Sequence, residues 1–173
     1  MTTDQTTLST LNAMDKDAFV QALGGIFEHS PWVAEAAWAS RPFGSVEELH
    51  TRMVQAVRDA GTEPQLALVR AHPELAGAAM RERLLTAHST DEQSGVGLTS
   101  LAEEEARRFD DLNRQYRERF GFPFVVAVKE HTKESILANF ERRLSSTPEV
   151  ELDTALNEIA KIGRFRLNAL IAS

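Results

Sequence analysis

The chain of 173 residues carries 19 Lys and Arg against 26 Asp and Glu, which gives a formal net charge of −7 with the histidines neutral. Its length fits one domain, since domains usually span about 100–200 residues, and its apolar content of 42% is that of a folded protein. The acidic balance argues against nucleic acid and anionic membrane surfaces as partners, and the absence of cysteine excludes disulfides, thiolate metal clusters and cysteine nucleophiles.

The chain shows no targeting or membrane segment that would change this interpretation. It lacks a run of about 18 apolar residues, and residues 1–11 are polar and threonine-rich, unlike a secretory signal. We therefore expect a cytoplasmic location. No internal repeat or low-complexity linker interrupts the sequence, so we predict one domain over residues 1–173 and allow for a flexible segment over residues 1–14.

Apolar residues recur at helical spacing through most of the chain. The predicted helices of the first half span residues 16–23, 32–39, 46–60, 64–71 and 78–87. The clearest of them begins at Ser45, which forms a capping-box pattern with Glu48, and ends at Gly61.

Three further helices are predicted in the second half, with one apolar run between them. These helices lie between Thr99 and Gly121, over residues 132–144 and over residues 148–171. Thr132 and Thr147 are suited to cap the second and third of them. Residues 122–128 are apolar and β-branched like a strand, but a lone strand has no partner. The predicted fold is therefore all-α, a single compact multi-helix domain.

Arg166 breaks the pattern of the last predicted helix. At about 100° per residue it lies within about 40° of Ile159, Ile162 and Leu170, inside the apolar arc. A buried guanidinium is costly unless an acid or an anion meets it. One interpretation is an internal salt bridge or a side chain that reaches water. The other is a clamp for a carboxylate or ureide-like substrate group.

His72 stands directly before Pro73, and proline disfavours the α conformation in the residue that precedes it. We therefore expect His72 to leave the helix over residues 64–71 and to place its imidazole at the helix exit. Irregular segments held between helices often carry acid–base groups. A structural or surface histidine is the alternative.

A third polar cluster lies at residues 89–93. Ser89 and Glu92 have capping-box spacing, which would give both residues a structural role, whereas Gln93 has no such explanation. The five histidines never have the i, i+4 spacing of a helical zinc site, and the chain has no calcium loop or nucleophile elbow. Nothing in the sequence therefore calls for a metal or a cofactor.

Several segments carry a resemblance that is specific in its ordered combination. They are Phe27-Glu28-His29-Ser30-Pro31-Trp32, Ala71-His72-Pro73-Glu74-Leu75-Ala76-Gly77, residues 89–98, Leu112-Asn113-x-x-Tyr116, Phe120-Gly121-Phe122-Pro123-Phe124 and the last helix with Arg166. Together they resemble the family of 2-oxo-4-hydroxy-4-carboxy-5-ureidoimidazoline (OHCU) decarboxylases, which complete the route from urate to (S)-allantoin.

This resemblance implies an all-helical, cofactor-independent and metal-free carboxy-lyase of purine degradation, acting as a homodimer on a small anionic ureidoimidazoline. It implies His72 and Glu92 as the catalytic residues. The substrate-binding residues that it implies are Pro73, Ser89, Thr90, Asp91, Glu92, Gln93, Phe124, Val125, Val126, Ala127, Val128 and Arg166. For residues 124–128, backbone groups would make the contacts.

Two other functions remain open on the residues alone. A cofactor-free lyase or hydrolase acting on a related ureide would need the same kinds of groups. In a non-enzymatic helical binding module, Arg166 would be an ion-pair residue, His72 would end a helix, and residues 122–128 would form a docking surface.

Overall fold

The computed structural model describes residues 5–76, 86–98 and 101–172 of the chain. The chain divides into two compact units, one of Met1–Ala71 and Ala160–Ser173 and the other of His72–Ile159. Most of the described residues are helical, which confirms the predicted all-α fold class. The single domain over residues 1–173 stays a prediction. None of the helices in the described part of the chain is long and apolar enough to cross a membrane.

Five helices and a short sheet form the first unit, together with residues 160–170. The helices are α1 (Leu8–Ala13), α2 (Lys16–Leu23), α3 (Trp32–Trp38), α4 (Val46–Asp59) and α5 (Thr62–Ala71), and the strands are β1 (Thr6–Thr7) and β2 (Ile171–Ala172). Helices α2 to α5 agree with the predicted ones to within one residue at most ends and two at the start of α5, whereas α1 was not predicted. Their buried side chains include Leu11, Phe19, Val33, Leu49, Met53, Leu68 and Leu167.

Helix α4 shows why the local prediction succeeds. The Ser45 hydroxyl accepts a hydrogen bond from the Glu48 backbone N–H at 3.1 Å, as an N-cap should. The Glu48 carboxylate accepts from the N–H of Gly44 at 2.8 Å, so the reciprocal half of the predicted capping box is shifted by one residue. Gly61 follows the helix with φ at +90°, a conformation that glycine adopts without strain.

The beginning of the described chain contains strand β1 and helix α1, and the flexible segment over residues 1–14 stays a prediction. Strand β1 pairs in parallel with β2, with Thr6 opposite Ile171 and Thr7 opposite Ala172. Leu11 of α1 is fully buried. This pairing joins residues far apart in the sequence, so no local pattern could indicate it.

Among the described residues of the second unit, four helices and one 3-10 turn lie wholly or partly within it. They are α6 (Ala87–Gly95), α7 (Glu103–Phe120), the 3-10 turn Val128–Glu130, α8 (Lys133–Arg143) and α9 (Pro148–Leu170), of which residues 148–159 belong to this unit. Helix α9 stops one residue before the predicted end. Of the predicted positions, residues 78–85, Gly77 and Thr99 lie outside the described residues.

Helix α6 corrects the interpretation of residues 89–92 as a capping box. The N-cap lies three residues earlier, because the Thr86 hydroxyl accepts from the N–H of Ser89 at 3.2 Å. Ser89 and Gln93 are the buried side chains among residues 88–93. Because this buried face is polar, the apolar periodicity that reveals other helices is missing here.

The core of the second unit is aromatic. Tyr116 and Phe120 of α7, Phe140 of α8, and Phe122 and Phe124 of the connecting segment make mutual ring contacts. The rings of Phe124 and Phe140 stack with their centroids 3.8 Å apart. Residues 122–127 form neither helix nor strand. The strand-like run is therefore an irregular segment held by aromatic packing.

Candidate functional site

His72 begins the second unit directly after α5 ends at Ala71, as the following proline predicts. Its side chain is buried, with the residue 7% exposed. Pro73 next to it is half-buried. A mostly buried imidazole on irregular backbone is thus presented at a helix exit, which fits an acid–base group better than a surface histidine.

Two buried amide side chains hold the backbone that follows His72. The Oε1 of Gln93 on α6 accepts from the N–H of Ala76 at 2.9 Å. The Nδ2 of Asn113 on α7 donates to the C=O of Leu75 at 2.9 Å. Ala76 has φ at 54°, and a non-glycine residue keeps this strained conformation only where its surroundings impose it. These bonds explain how the turn after His72 is kept in place.

Asn113 was absent from the residues assigned to the site from the sequence. It is 2% exposed, and its Oδ1 has no hydrogen-bond partner among residues 5–76, 86–98 and 101–172, although a buried acceptor normally has one. A signal was present, because Asn113 lies four residues after Phe109 and three before Tyr116, on the apolar face of α7. A polar residue on such a face has a structural or functional reason to be there.

The residues of α6 that the resemblance assigns to the substrate differ in exposure. Ser89 and Gln93 are buried, Glu92 is half-buried, and Thr90 and Asp91 are exposed. The Oε1 of Gln93 is the atom directed at Ala76, and in the described part of the chain its Nε2 donates no hydrogen bond. Gln93 therefore has a donor left for a ligand, while its oxygen supports the turn after His72.

Residues 124–128 are buried, and side chains bond parts of their backbone. Arg143 donates to the C=O of Val125 at 2.8 Å, and the N–H of Ala127 donates to Glu158 at 3.3 Å. Among the residues that the structure describes, the N–H groups of Val125 and Val126 have no hydrogen-bond acceptor. Unpaired amides in a buried segment are suited to bind a small polar ligand.

Arg166 forms the internal salt bridge that the sequence left as one of two interpretations. The residue is 3% exposed, and its Nη2 donates to Glu28, itself 1% exposed, at 2.9 Å. Its Nη1 donates to the C=O groups of Gly25 and Ile26 at 3.3 and 3.4 Å. The absence of a side chain at Gly163 lets the Phe27 ring pack against α9, about one turn before Arg166. This packing brings Glu28 to the guanidinium.

The described residues hold no group of three His, Asp or Glu side chains that could bind a metal ion.

Burial is the main reason that the pKa of Tyr116 is raised above its ordinary range, and the hydrogen bond to Glu151 raises it further. The polar groups described above for the second unit are the imidazole of His72, the carboxyl group of Glu92, the Nε2 of Gln93 and the N–H groups of Val125 and Val126.

Comparison with known proteins gives a consistent family. The sequence model described as OHCU decarboxylase matches residues 12–168. The chain is 49% identical to the 2-oxo-4-hydroxy-4-carboxy-5-ureidoimidazoline decarboxylase of Haloferax volcanii, over 93% of this chain and 94% of that one. It is 41% identical to the mouse (Mus musculus) protein of the same name, over 94% and 92% of the two chains.

A solved structure agrees with this comparison. The crystal structure of an (S)-allantoin synthase superposes with a TM-score of 0.75 at 33% identity, covering 95% of this chain and 54% of that longer one. The family match spans nearly the whole chain and includes the segments that carry His72, Gln93 and residues 124–128. The chain belongs to the OHCU decarboxylase family.

Proposed function

We propose that this protein decarboxylates 2-oxo-4-hydroxy-4-carboxy-5-ureidoimidazoline to (S)-allantoin in urate degradation. The observation that carries the proposal is the 49% identity, over 93% of the chain, to a relative named for this decarboxylase. The geometry of the second unit supports it, because a buried imidazole and unpaired backbone donors are the groups that such a reaction needs.

The substrate itself explains why no cofactor is required. Its carboxylate is attached to a ring carbon next to an unsaturated carbon that bears the ureido group. When the bond to carbon dioxide breaks, its electron pair forms a double bond between the two ring carbons, and the pair of the former C=N bond moves to the ring nitrogen, which takes up a proton. The resulting enol then gains a proton at the carbon with the ureido group and loses its hydroxyl proton as the ring carbonyl forms, so that one proton is taken up overall for each carboxylate lost. Cofactors such as pyridoxal phosphate supply an electron sink to other substrates, but this ring has its own.

His72 is the residue that we propose for the exchange of protons with the substrate, with Glu92 as its acidic partner. A histidine side chain titrates near neutral pH, so it can both accept and donate a proton under physiological conditions. The burial of His72 and the anchoring of the turn after it support this role, because a proton must reach one face of the ring to give a single enantiomer.

Binding of the ring and the ureido group is assigned to two kinds of polar groups, an amide side chain and the peptide backbone. We propose that the Nε2 of Gln93 and the backbone of residues 124–128 bind the ureide oxygen and nitrogen atoms. Pro73, Ser89, Thr90 and Asp91 complete the substrate-binding residues of this unit. Small polar ligands are typically oriented by a few such groups in an otherwise apolar site.

Arg166 is proposed to bind an anionic or carbonyl oxygen of the substrate. Its guanidinium is held in one orientation by Glu28 and by two backbone carbonyls, and a fixed planar fork is well suited to a carboxylate. In this role Glu28 supports the arginine and does not replace the substrate.

Family membership also supports a homodimer and a cytoplasmic location. We expect light scattering coupled to gel filtration to give twice the mass of the 19.2 kDa chain. Fractionation of cells that express the full protein should place it with the cytoplasmic enzymes. A monomer at working concentrations, or a membrane-bound fraction, would contradict these two parts of the proposal.

The decisive experiment generates the unstable substrate in place. Uricase and hydroxyisourate hydrolase convert urate to the ureidoimidazoline, this protein is added, and circular dichroism follows the enantiomer of allantoin as it forms. We expect faster formation of (S)-allantoin than in the reaction without this protein. If well-folded protein leaves the rate and the enantiomer unchanged, the decarboxylase proposal fails. Another ureide-derived product would indicate a related lyase or hydrolase, and ligand binding without turnover would indicate a binding module.

A further inference from the structure

The guanidinium of Arg143 lies in a buried cluster formed by α7, α8 and α9. Its Nε donates to Glu151 Oε1 at 2.8 Å, and its Nη2 donates to the Tyr116 hydroxyl at 3.4 Å. The Tyr116 hydroxyl donates to the same Glu151 oxygen at 2.5 Å. Arg143 and Glu151 are 5% and 1% exposed, so solvent screens their attraction little. The remaining terminal nitrogen, Nη1, donates to the C=O of Val125.

Stability alone does not require an arginine at this position. Buried ion pairs can often be replaced by apolar side chains of similar volume without loss of stability. What apolar side chains cannot do is donate to a carboxylate and to a carbonyl at once from one rigid plane. The guanidinium of Arg143 also lies over the Phe124 ring, 4.4 Å from its centroid, which limits its rotation. The cluster therefore holds the Val125 carbonyl in one direction.

The planarity of the peptide bond passes this direction to the next residue. The C=O of Val125 and the N–H of Val126 belong to one trans peptide unit, so they point in opposite directions. The bond from Arg143 thus turns the Val126 N–H away from the cluster. In the next unit, the Ala127 N–H bonds Glu158, which turns the Val126 C=O away from that glutamate.

The N–H of Val126 shares a peptide unit with the Val125 C=O, which Arg143 holds, and the C=O of Val126 shares one with the Ala127 N–H, which Glu158 holds. The directions of both polar groups of Val126 are therefore set by buried charged side chains. Within the described parts of the chain, neither polar group of Val126 has a hydrogen-bond partner. A ureide carries N–H donors beside C=O acceptors, so the backbone of one residue can complement it with two hydrogen bonds.

We propose that Arg143, supported by Glu151 and Tyr116, is a positioning residue that orients the Val126 backbone toward the ureide of the substrate. The inference rests on the proposed function, in which residues 124–128 bind the ureidoimidazoline. Arg143 itself does not touch the substrate and acts through the peptide unit between Val125 and Val126.

The first test replaces Arg143 by lysine. Lysine keeps the positive charge beside Glu151, but its single nitrogen cannot also hold the Val125 carbonyl as the guanidinium fork does. We expect KM for the ureidoimidazoline and the dissociation constant of (S)-allantoin to rise about 10-fold or more, since a displacement of about 1 Å can cost about 10²-fold. We expect kcat to change less than about 3-fold, because Arg143 does not touch the reacting atoms. The matched control is Arg142→Lys, at the exposed neighbouring residue, which should leave these constants unchanged.

A second variant separates positioning from stability. Tyr116→Phe, Arg143→Met and Glu151→Leu combined remove all the polar groups of the cluster, so no buried charge is left unpaired. We expect this triple variant to fold, with circular dichroism like that of the wild type, and still to have a raised KM. If it folds and keeps the KM of the wild type, the cluster has only a structural role and the inference is wrong.

A third measurement does not depend on activity or on the triple variant. In ¹⁵N-labelled protein without ligand, the amide signals of Val126 and Ala127 should shift in Arg143→Lys and stay in place in Arg142→Lys. Addition of (S)-allantoin should shift the Val126 amide of the wild type. Unmoved Val126 and Ala127 signals in Arg143→Lys overturn the inference even if the enzyme is active. If the wild type makes no (S)-allantoin, the proposed function fails, and the signals of the unliganded protein still decide the positioning role.

Discussion

Each of the two units contains a buried arginine paired with a buried glutamate, but the two guanidinium groups hold different parts of the chain. Arg166 bonds Glu28 and the carbonyls of Gly25 and Ile26, which all belong to one short segment between α2 and α3. Arg143 bonds Glu151 on a helix and a carbonyl of the irregular segment 124–128.

This difference teaches that burial and charge pairing do not reveal what an arginine does. Both pairs have short N–O distances, 2.9 Å in one unit and 2.8 Å in the other, and both are almost completely removed from solvent. What separates them is the backbone that the remaining guanidinium nitrogens hold. In the second unit that backbone has polar groups without a hydrogen-bond partner among the described residues, and for this reason we propose it as a binding segment.

The largest expected effect is that of substituting His72, and the effects at the two arginines can be compared with it. Replacing His72 by alanine removes the proposed acid–base group, so turnover should fall by about 10²–10⁴-fold, the usual contribution of positioned acid–base catalysis. The coupled circular dichroism assay measures this loss, and His88→Ala, at an exposed histidine of α6, is the matched control. Turnover close to that of the wild type in folded His72→Ala would remove this residue from the mechanism.

The next effect tests whether the pair in the first unit is more than structural. Glu28→Gln leaves the buried guanidinium of Arg166 without its counter-charge, which should reduce the free energy of unfolding by about 3–5 kcal/mol in urea denaturation. The double variant Glu28→Leu and Arg166→Met should regain most of this stability and remain inactive. A stable and active double variant would mean that this pair has only a structural role, unlike the role proposed for the pair of Arg143 and Glu151.

Substitution of Arg166 by lysine should have a smaller effect, mainly on activity. Lysine keeps the charge opposite Glu28 but loses the planar fork that is proposed to bind the substrate, so kcat/KM should fall by about 10²-fold. Arg164→Lys is the matched control, since Arg164 lies on the same helix but pairs with Glu47 at the surface. Equal kinetic constants in the two variants would contradict substrate binding by Arg166.

The smallest expected effect concerns the hydroxyl in the second cluster. Tyr116→Phe removes the buried hydrogen bond to Glu151 and the longer one from Arg143 but leaves the ion pair between Arg143 and Glu151, so the free energy of unfolding should fall by about 1–2 kcal/mol in urea denaturation. A loss above about 4 kcal/mol would mean that the hydroxyl, and not the guanidinium, organises the cluster.

Tyr116 also predicts how stability depends on alkaline pH. Burial and the bond to Glu151 raise its pKa in the folded state, so the folded protein binds this proton more tightly than the unfolded chain. The resulting stability is present below about pH 10, where tyrosine in the unfolded chain begins to ionise, and it is lost as the pH rises further. Because Tyr116 is the chain's single tyrosine, absorbance near 295 nm reports its ionisation alone.

We expect this absorbance to appear only together with unfolding above about pH 10, while the urea-unfolded chain titrates near the ordinary tyrosine pKa of about 10. The Tyr116→Phe variant supplies the background and should lose less stability between about pH 10 and 11. A normal titration of Tyr116 in the folded protein would show that the cluster is open to solvent.

The sequence was informative wherever the relevant groups are close along the chain. The caps at Ser45, Thr132 and Thr147 each bond a residue three positions away, so a local pattern is enough to predict them. The burial of Arg166 followed in the same way, since helical periodicity places it among apolar residues of its own helix. His72 at the end of α5 followed from the proline after it.

The hydrogen bonds of the candidate site that escaped prediction join residues far apart in the sequence. Gln93 bonds a residue 17 positions away, Tyr116 one 35 positions away and Asn113 one 38 positions away. Arg143 lies in the last turn of α8, where the helix dipole favours any cation. Its burial had a local signal, since it lies seven residues after Ile136 and three after Phe140, on the buried face of α8. Nothing local indicates that it bonds Glu151 and the C=O of Val125.

By itself, the sequence determined helices α2 to α5 and α7 to α9, the exclusion of cysteine chemistry, the family resemblance and the unusual positions of His72 and Arg166, because these depend on composition, spacing and nearest neighbours. Only the tertiary structure decided which acid meets which arginine, which amide holds the turn after His72, and which peptide groups of residues 124–128 are left unpaired. Hydrogen bonds act over about 3 Å in space, so their partners are known only when the fold has brought distant segments together.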